Sequence, residues 1–288
     1  METMDEFHED EKLMNDKDNK IENKNRNKKY LIIIIILVIL LIISLVTVKI
    51  IVSALQNTNN DNSSKKQDSS PIYIEPSSGV HTHTIIFLPG LTNTPEDFLK
   101  VLTSYVTFNK RNTTKIVILR SQLQEVTVLN GTKNYSWFDI YYFPLNSSNS
   151  YNVEELKISS NILKNYIEEE AKKLNNNYEK IIIGGHSQGA MLSLFTGYTF
   201  KYKLGGVISW SGALPPIKKE DILPEKEKLN VFYSYGLLDN IIIPEYFSKS
   251  INDIKDFDGF NISIYPNQTH SVGRNEIEDT GIFLDNIM

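Results

Sequence analysis

The chain has 288 residues, of which 41% are hydrophobic and 23% charged, a composition typical of a globular protein with one large domain or two small ones. A formal net charge of -5 creates no strong positive field, which argues against a nucleic-acid partner. Because the sequence has no cysteine, disulfides, thiol catalysis and Cys-ligated zinc are excluded, and any nucleophile must be a hydroxyl, an amine or a carboxylate.

The first 79 residues divide into three segments of different composition. Residues 1–29 are polar, acidic early and basic late, which predicts a disordered tail. Residues 30–48 are uncharged over 19 positions and the apolar character continues, so a transmembrane helix is predicted at 30–55. Residues 56–79, which are rich in Asn and Ser, are predicted as a flexible linker. Two alternatives to the membrane helix are a buried core helix and a signal peptide cleaved near Val52-Ser53-Ala54.

Charge asymmetry around residues 30–55 predicts an orientation. Five basic residues crowd the end of the preceding tail, so the N-terminus is expected in the cytoplasm and the remainder on the lumenal or extracellular side. Seven Asn-x-Ser/Thr sequons follow the predicted helix and fit that side. Two of them, at Asn130 and Asn267, fall close to the site predicted below, where glycans would obstruct it. Either those two asparagines stay unmodified or the domain is cytosolic.

Beyond residue 80, short apolar runs alternate with longer amphipathic ones. The predicted strands are 83–90, 115–120, 179–185, 205–212, 230–236 and 260–266. The predicted helices are 95–106, which has Thr94 as its N-cap, 152–174, 187–200, 244–257 and 276–287. This alternation predicts an α/β fold at residues 80–288, with a mainly parallel sheet covered by helices on both faces.

Residues 185–189, Gly-His-Ser-Gln-Gly, match the pattern G-x-S-x-G between a predicted strand and a predicted helix. A strand that turns directly into a helix leaves its corner residue strained, and the turn closes only if small neighbours avoid a clash. The hydroxyl of Ser187 would then project above the sheet. The pattern therefore predicts a nucleophile at Ser187, and His186 is predicted as a turn or packing residue.

A serine hydroxyl attacks efficiently only if a base removes its proton. In this kind of fold the partners follow in the order Ser, Asp or Glu, His, each after a later strand. His270, the only histidine after Ser187, follows the last predicted strand and is the predicted base. Asp239 lies in the loop after the preceding strand and is the predicted acid.

The region from about residue 84 to 287 resembles a known family. The resemblance is carried, in order, by IIFLPGL, VTVLNGTKNYSWFDI, GHSQGAMLSLFTG, YKLGGVISWSGALP, YGLLDNIIIP and YPNQTHS. These blocks are similar to those of the acyl-protein thioesterase, lysophospholipase and carboxylesterase family of small α/β-hydrolases. The resemblance implies an α/β-hydrolase catalytic domain at 80–288, with nucleophile, acid and base at Ser187, Asp239 and His270. It also implies that the backbone N–H groups of Leu91 and Gln188 form the oxyanion hole.

The sequence departs from the family pattern in two loops. Pro89 stands where the family usually has a histidine, and Tyr235-Gly236-Leu237-Leu238-Asp239 replaces a short His-Gly-Asp-x-Asp run. Trp137 and Phe138 match a family segment near the mouth of the active site. A role in the substrate pocket and packing against the core are both open for these two aromatics.

Together these features predict a serine hydrolase that cleaves acyl esters or thioesters of lipids or acylated proteins, attached to a membrane by its N-terminal helix. This chemistry requires no cofactor and no metal. The alternative is a catalytically inactive membrane protein with a hydrolase fold that acts as a binding module.

Overall fold

The computed structural model describes residues 70–288. The predicted tail at 1–29, the predicted membrane helix at 30–55 and most of the predicted linker at 56–79 lie outside the described residues.

The predicted localisation, a single-pass membrane protein with a lumenal or extracellular hydrolase domain, is corrected. No helix within residues 70–288 is long and apolar enough to cross a bilayer. The longest of them, Val153–Lys172, has 20 residues, but it alternates a buried apolar face with acidic and basic residues. Such a helix packs on a protein core and would expose charges to lipid. That localisation is therefore withdrawn.

A seven-stranded sheet organises the described part of the chain, in the order β1-β3-β2-β6-β7-β8-β9. Its strands are β1 (Ile72–Ile74), β2 (His83–Leu88), β3 (Thr114–Ile118), β6 (Ile181–His186), β7 (Gly206–Trp210), β8 (Val231–Gly236) and β9 (Phe260–Tyr265). All neighbouring pairs are parallel except β1 with β3. The predicted mainly parallel sheet is thus confirmed, although it begins at Ile72, inside the segment predicted as linker.

Two further strands form a separate antiparallel hairpin that the sequence analysis did not predict. They are β4 (Gln122–Val126) and β5 (Thr132–Ser136), and their register pairs Val126 with Thr132. The connection ends in Asn130 and Gly131, both with positive φ. An Asn-Gly pair between two short strands is a known hairpin signal, so this element was accessible from the sequence.

Five α-helices lie among the described residues: α1 (Pro95–Lys100), α2 (Val153–Lys172), α3 (Gln188–Thr199), α4 (Pro244–Ser250) and α5 (Arg274–Ile287). Helix α1 starts at the predicted Pro95 after Thr94, and its path continues as a π-helical turn at Val101–Tyr105. Helix α4 is shorter than the predicted 244–257, since residues 251–256 form turns instead.

Two hydrophobic clusters cover the two faces of the main sheet. In β6, Ile181 and Ile183 belong to one cluster and Ile182 to the other, because successive side chains of a strand point to opposite faces. Helices α2 and α3 contribute to the first cluster, and α1 and α5 to the second. Burial on both faces explains why the strands are continuous apolar runs rather than alternating ones.

Candidate active site

Ser187 lies at the turn between β6 and α3, with φ 54° and ψ -120°. A positive φ is costly for any residue with a side chain, on the order of 1–3 kcal/mol. The glycines on either side allow the turn to close: a Cβ at Gly189 would collide with the Leu88 carbonyl oxygen, and one at Gly185 with the backbone of Gly189. The steric argument made for the G-x-S-x-G pattern is therefore confirmed, and Ser187 is held where a hydroxyl is presented at the end of β6.

The three predicted side chains meet at the carboxyl edge of the sheet. His270 Nε2 lies 2.8 Å from Ser187 Oγ, and His270 Nδ1 lies 2.7 Å from Asp239 Oδ2. Ser187 follows β6, Asp239 follows β8 and His270 follows β9. Because these strands are parallel, their carboxyl ends share one edge, so residues far apart in sequence become neighbours.

The acid is tightly held by its own loop. The Asp239 side chain is fully buried, and its Oδ1 accepts hydrogen bonds from the N–H groups of Ile241 and Ile242, both at 2.9 Å. Oδ2 is left for the imidazole. Since a carboxylate only accepts, His270 Nδ1 must carry the proton in this pair, which turns the lone pair of Nε2 toward the Ser187 hydroxyl. The His270 side chain is 13% exposed and so borders the solvent.

The predicted oxyanion donors lie on the two segments that meet at Ser187. Gln188 is the first residue of α3, where backbone N–H groups have no partner within the helix. Leu91 follows Gly90, and a Cβ on Gly90 would lie 3.1 Å from the Ser187 Cβ, so this loop passes directly beside the serine. Within residues 70–288, neither N–H donates to a backbone carbonyl. Both groups are free for a ligand, and their catalytic role stays a prediction.

Trp137 and Phe138 are buried in the core, with exposures of 6% and 0%. The Gln188 side chain binds this segment, donating from Nε2 to the Phe138 carbonyl at 2.7 Å and accepting from the Trp137 N–H at 3.2 Å. The Trp137 indole donates to the Pro89 carbonyl at 2.8 Å. Both aromatic side chains are therefore packed in the core. The indole bond to Pro89 also ties this segment to the loop in which proline replaces the family's histidine.

His186 packs behind the base. Its ring centroid lies 5.1 Å from that of His270 and 5.7 Å from that of Phe98. Burial, and to a lesser extent the neighbouring His270, lowers the pKa of His186 to about 3. His186 is therefore a neutral imidazole at physiological pH, in agreement with the predicted packing role.

Sequence reasoning missed one buried carboxyl beside the site. Glu276 in α5 is fully buried and binds the loop that contains His270 through Gln268 and Gly273. The available signal was the position of Glu276 three residues after Gly273, at the start of an amphipathic helix, where a glutamate accepts from the preceding backbone N–H.

Comparison with known proteins agrees with the fold. The model of the Phospholipase/Carboxylesterase family matches residues 71–288. Acyl-protein thioesterase 1 of Yarrowia lipolytica is 31% identical over 212 residues, 71% of this chain and 91% of that protein. Acyl-protein thioesterase 1 of Mycosarcoma maydis is 30% identical over 232 residues, 75% of this chain and 96% of that protein.

Solved structures share the fold at lower identity. Acyl-protein thioesterase 2 of Zea mays superposes with a TM-score of 0.63 at 18% identity, covering 76% of this chain and 98% of that one. Arabidopsis thaliana SOBER1 gives 0.65 at 21%, covering 71% and 98%. The chain therefore belongs to the phospholipase/carboxylesterase family, whose members are hydrolases of the acyl-protein thioesterase and carboxylesterase type.

Proposed function

We propose that this protein is a serine hydrolase that cleaves acyl esters or thioesters through a covalent acyl-enzyme. The observation that carries the proposal is the unbroken series of hydrogen bonds from Ser187 through His270 to Asp239, at 2.8 and 2.7 Å. Such a series supplies a nucleophile, a base and a group that orients the base, which is the minimum that acyl transfer to a hydroxyl requires.

In the first step, His270 Nε2 takes the hydroxyl proton as Ser187 Oγ attacks the acyl carbonyl carbon. The resulting imidazolium is stabilised by the buried Asp239 carboxylate, which also keeps the ring in the tautomer that accepts from serine. The backbone N–H groups of Leu91 and Gln188 donate to the tetrahedral oxyanion, each with a stabilisation of about 3 kcal/mol in comparable sites.

In the second step, the imidazolium returns its proton to the departing oxygen or sulfur, and the carbon–heteroatom bond breaks. Water then enters, His270 removes one of its protons, and the oxygen attacks the acyl-serine. Collapse of the second tetrahedral intermediate releases the carboxylic acid and restores the Ser187 hydroxyl. In each half of the cycle one proton passes through His270, first from Ser187 and then from the attacking water.

The similarity to acyl-protein thioesterases supports an acylated substrate. Lysophospholipids, S-acylated proteins and small carboxylic esters all present the same electrophilic carbonyl, and a panel of these three classes ranks them by kcat/KM. The exposed Leu237 and Leu238, on the loop that departs from the family pattern, border Asp239 and provide apolar surface next to the site.

A fluorophosphonate probe tests the proposal, because it phosphonylates only an activated serine. The full chain should be labelled at Ser187, and Ser187→Ala should not be labelled. The control Ser104→Ala removes an exposed hydroxyl away from the site and should label like the wild type. If folded wild-type protein stays unlabelled, the serine is not activated, and the alternative of a binding module takes its place.

A further inference from the structure

Glu276 is a buried carboxyl group whose hydrogen-bond partners are all uncharged. Its side chain contacts, in the described part of the chain, are the hydroxyl of Ser234 on β8, the amide of Gln268 and the backbone N–H of Gly273. All three partners are neutral. An ionised carboxylate in such a place is expensive, since no charge compensates for the lost hydration.

The number of protons available for these hydrogen bonds indicates whether Glu276 is protonated or ionised. The Ser234 hydroxyl lies 2.9 Å from the Ser209 carbonyl oxygen and 2.5 Å from Glu276 Oε1. Ser234 has one proton, and a carbonyl can only accept. If that proton goes to Ser209, the short contact to Oε1 needs a proton from Glu276 itself.

The other oxygen completes the assignment. Glu276 Oε2 accepts from Gln268 Nε2 at 2.8 Å and from the Gly273 N–H at 3.2 Å. Oε2 thus accepts two hydrogen bonds, whereas Oε1 needs no donor if it carries the proton. This is the pattern of a neutral carboxylic acid in which Oε2 is the carbonyl oxygen and Oε1 the hydroxyl. Every proton in the cluster then has one acceptor. Burial raises the pKa of Glu276 above its ordinary value, in the same direction as this assignment.

Gln268 connects this carboxyl to the catalytic loops. Its Nε2 also donates to the Ser271 carbonyl at 2.8 Å, so the Gln268 side chain bridges the residues before and after His270. The Gln268 carbonyl accepts from the N–H of Leu238 at 3.0 Å, next to Asp239. Gln268 therefore joins the two loops: its backbone carbonyl binds the loop of Asp239, and its side chain, which Glu276 anchors to helix α5 and strand β8, holds the loop of His270.

We propose that Glu276 is a positioning residue for His270, and that it acts as a neutral carboxylic acid that donates to Ser234 and accepts from Gln268 and Gly273. The proposal rests on the proposed function, because it takes His270 as the base. Glu276 does not touch the reacting atoms. It holds the imidazole at the distance from Ser187 that proton transfer requires, and a displacement of about 1 Å there costs on the order of 10²-fold in rate.

Two substitutions at one position separate the roles of shape and charge. Glu276→Gln keeps the shape and the neutral pattern, because its amide N–H can donate to Ser234 while its oxygen accepts from Gln268 and Gly273. Glu276→Leu removes all three hydrogen bonds. The matched controls are Glu278→Gln and Glu278→Leu, the same changes at an exposed glutamate of the same helix.

We expect Glu276→Gln to keep kcat within about threefold of wild type and Glu276→Leu to lower it by roughly 10- to 100-fold with little change in KM, since the base is displaced and the binding surface is not. Both Glu278 variants should behave like wild type. If Glu276→Gln loses as much activity as Glu276→Leu, the neutral assignment is wrong. If Glu276→Leu keeps wild-type kcat, the positioning role is wrong.

The pH profile of kcat/KM gives a readout that a purely structural role would not move. Wild type should lose activity in an alkaline step that Glu276→Gln lacks, because only wild type ionises at this position. The titratable groups that surround Glu276 are His270 on the loop and Tyr265 on β9, with Asp279, the partner of Tyr265, on α5. These three are common to both proteins, so the difference between the two profiles isolates Glu276.

Two measurements do not depend on activity and separate this proposal from the proposed function. The first is the low-field proton NMR signal of the His270 Nδ1–H bonded to Asp239, which should persist in Glu276→Gln and broaden or vanish in Glu276→Leu. The second is the infrared carbonyl band of a protonated carboxyl, present at neutral pH in wild type and absent in Glu276→Gln. An unlabelled, inactive wild type would refute the hydrolase proposal, while these two signals would still decide the role of Glu276. Should Glu276→Leu fail to fold, Gln268→Met removes the side-chain hydrogen bonds to Glu276 and Ser271 without altering α5.

Discussion

At the amino edge of the main sheet, where β2 and β3 begin, the buried ammonium of Lys115 lies 3.1 Å from the buried carboxylate of Glu170 and 3.3 Å from Glu75, and Lys173 adds an ion pair to Glu170 at 2.6 Å. At the carboxyl edge, Ser187, His270 and Asp239 form a series in which a neutral hydroxyl and a neutral imidazole lead to one buried carboxylate. In the first cluster the ammonium and carboxylate charges balance each other, so no group in it favours taking up or releasing a proton. In the second, one buried anion faces two neutral groups. The balanced ion cluster is suited to holding the fold, whereas the unbalanced series is suited to the proton transfers of the proposed function.

The largest effect should come from breaking the series at its centre. His270→Ala removes the base and should lower kcat by roughly four to six orders of magnitude. The thermal unfolding temperature should change little, because the side chain borders the solvent. Pre-steady-state acylation with an activated ester measures the loss. Retention of more than about 1% of wild-type kcat would mean that another group takes the serine proton.

The amino edge should respond in the opposite way. Lys115→Met leaves Glu170 partly uncompensated in a buried place and should reduce the free energy of unfolding by about 3 kcal/mol, with kcat unchanged. Lys173→Met, at a half-exposed lysine that pairs with the same carboxylate, should cost less than about 1 kcal/mol. Urea unfolding and ester hydrolysis on the same samples test both. A fall in kcat without a fall in stability would remove the distinction between the edges.

His186, the second imidazole at the carboxyl edge, makes the free energy of unfolding depend on pH. In the unfolded chain His186 takes up a proton near its ordinary pKa of 6.5, whereas burial in the fold lowers the pKa to about 3. A lowered pKa means that the stability contributed by neutral His186 is present above pH 6.5 and is lost as the pH falls toward 3. His186→Phe cannot titrate, so its unfolding free energy relative to wild type should improve by up to roughly 1.4 kcal/mol per pH unit below 6.5. Urea unfolding at pH 7.5, 5.5 and 4.5 measures the difference, and a difference independent of pH would contradict it.

The smallest effect is expected at an exposed pair on helix α5. Arg274 lies 2.8 Å from Glu278, and both side chains are mostly in solvent. Arg274→Ala should change the free energy of unfolding by less than about 0.5 kcal/mol and leave kcat unchanged, because water and salt screen the pair. Thermal unfolding at low and high salt checks this. A larger loss would show that the helix start contributes more to the His270 loop than the Glu276 contacts account for.

Much of the fold was predictable from local patterns. The apolar run before Gly185, together with the glycines around Ser187, predicted a buried strand that turns into a helix, and the structure has β6 and α3 there. The order of Asp239 and His270 after later strands predicted the acid and the base as a pair, and the structure brings both to Ser187. These inferences succeeded because strand period, turn sterics and parallel topology act over short stretches or repeat along the chain.

Other features were out of reach or misjudged. The short strand Ile72–Ile74 has no pattern of its own, and its antiparallel pairing with β3 supplies the reason for its existence. Trp137 and Phe138 could equally have bordered the substrate or the core, since an aromatic side chain suits both. The structure buries both side chains, and a role in the substrate pocket stays a prediction. The localisation inferred from charge asymmetry and apolar length is corrected, because neither property reports on the helices that the described domain contains.

The sequence by itself determined that this protein presents a serine at a turn that follows a strand of a parallel sheet, because a glycine-flanked turn and an alternation of strands and helices are encoded by neighbouring residues. Tertiary structure alone decided how the His270 loop is held: Ser234, Gln268 and Glu276 come from a strand, a loop and a helix, and meet through side-chain hydrogen bonds. Whether a buried carboxyl keeps its proton depends on which groups surround it in space, and the spacing of residues in the sequence does not reveal those neighbours.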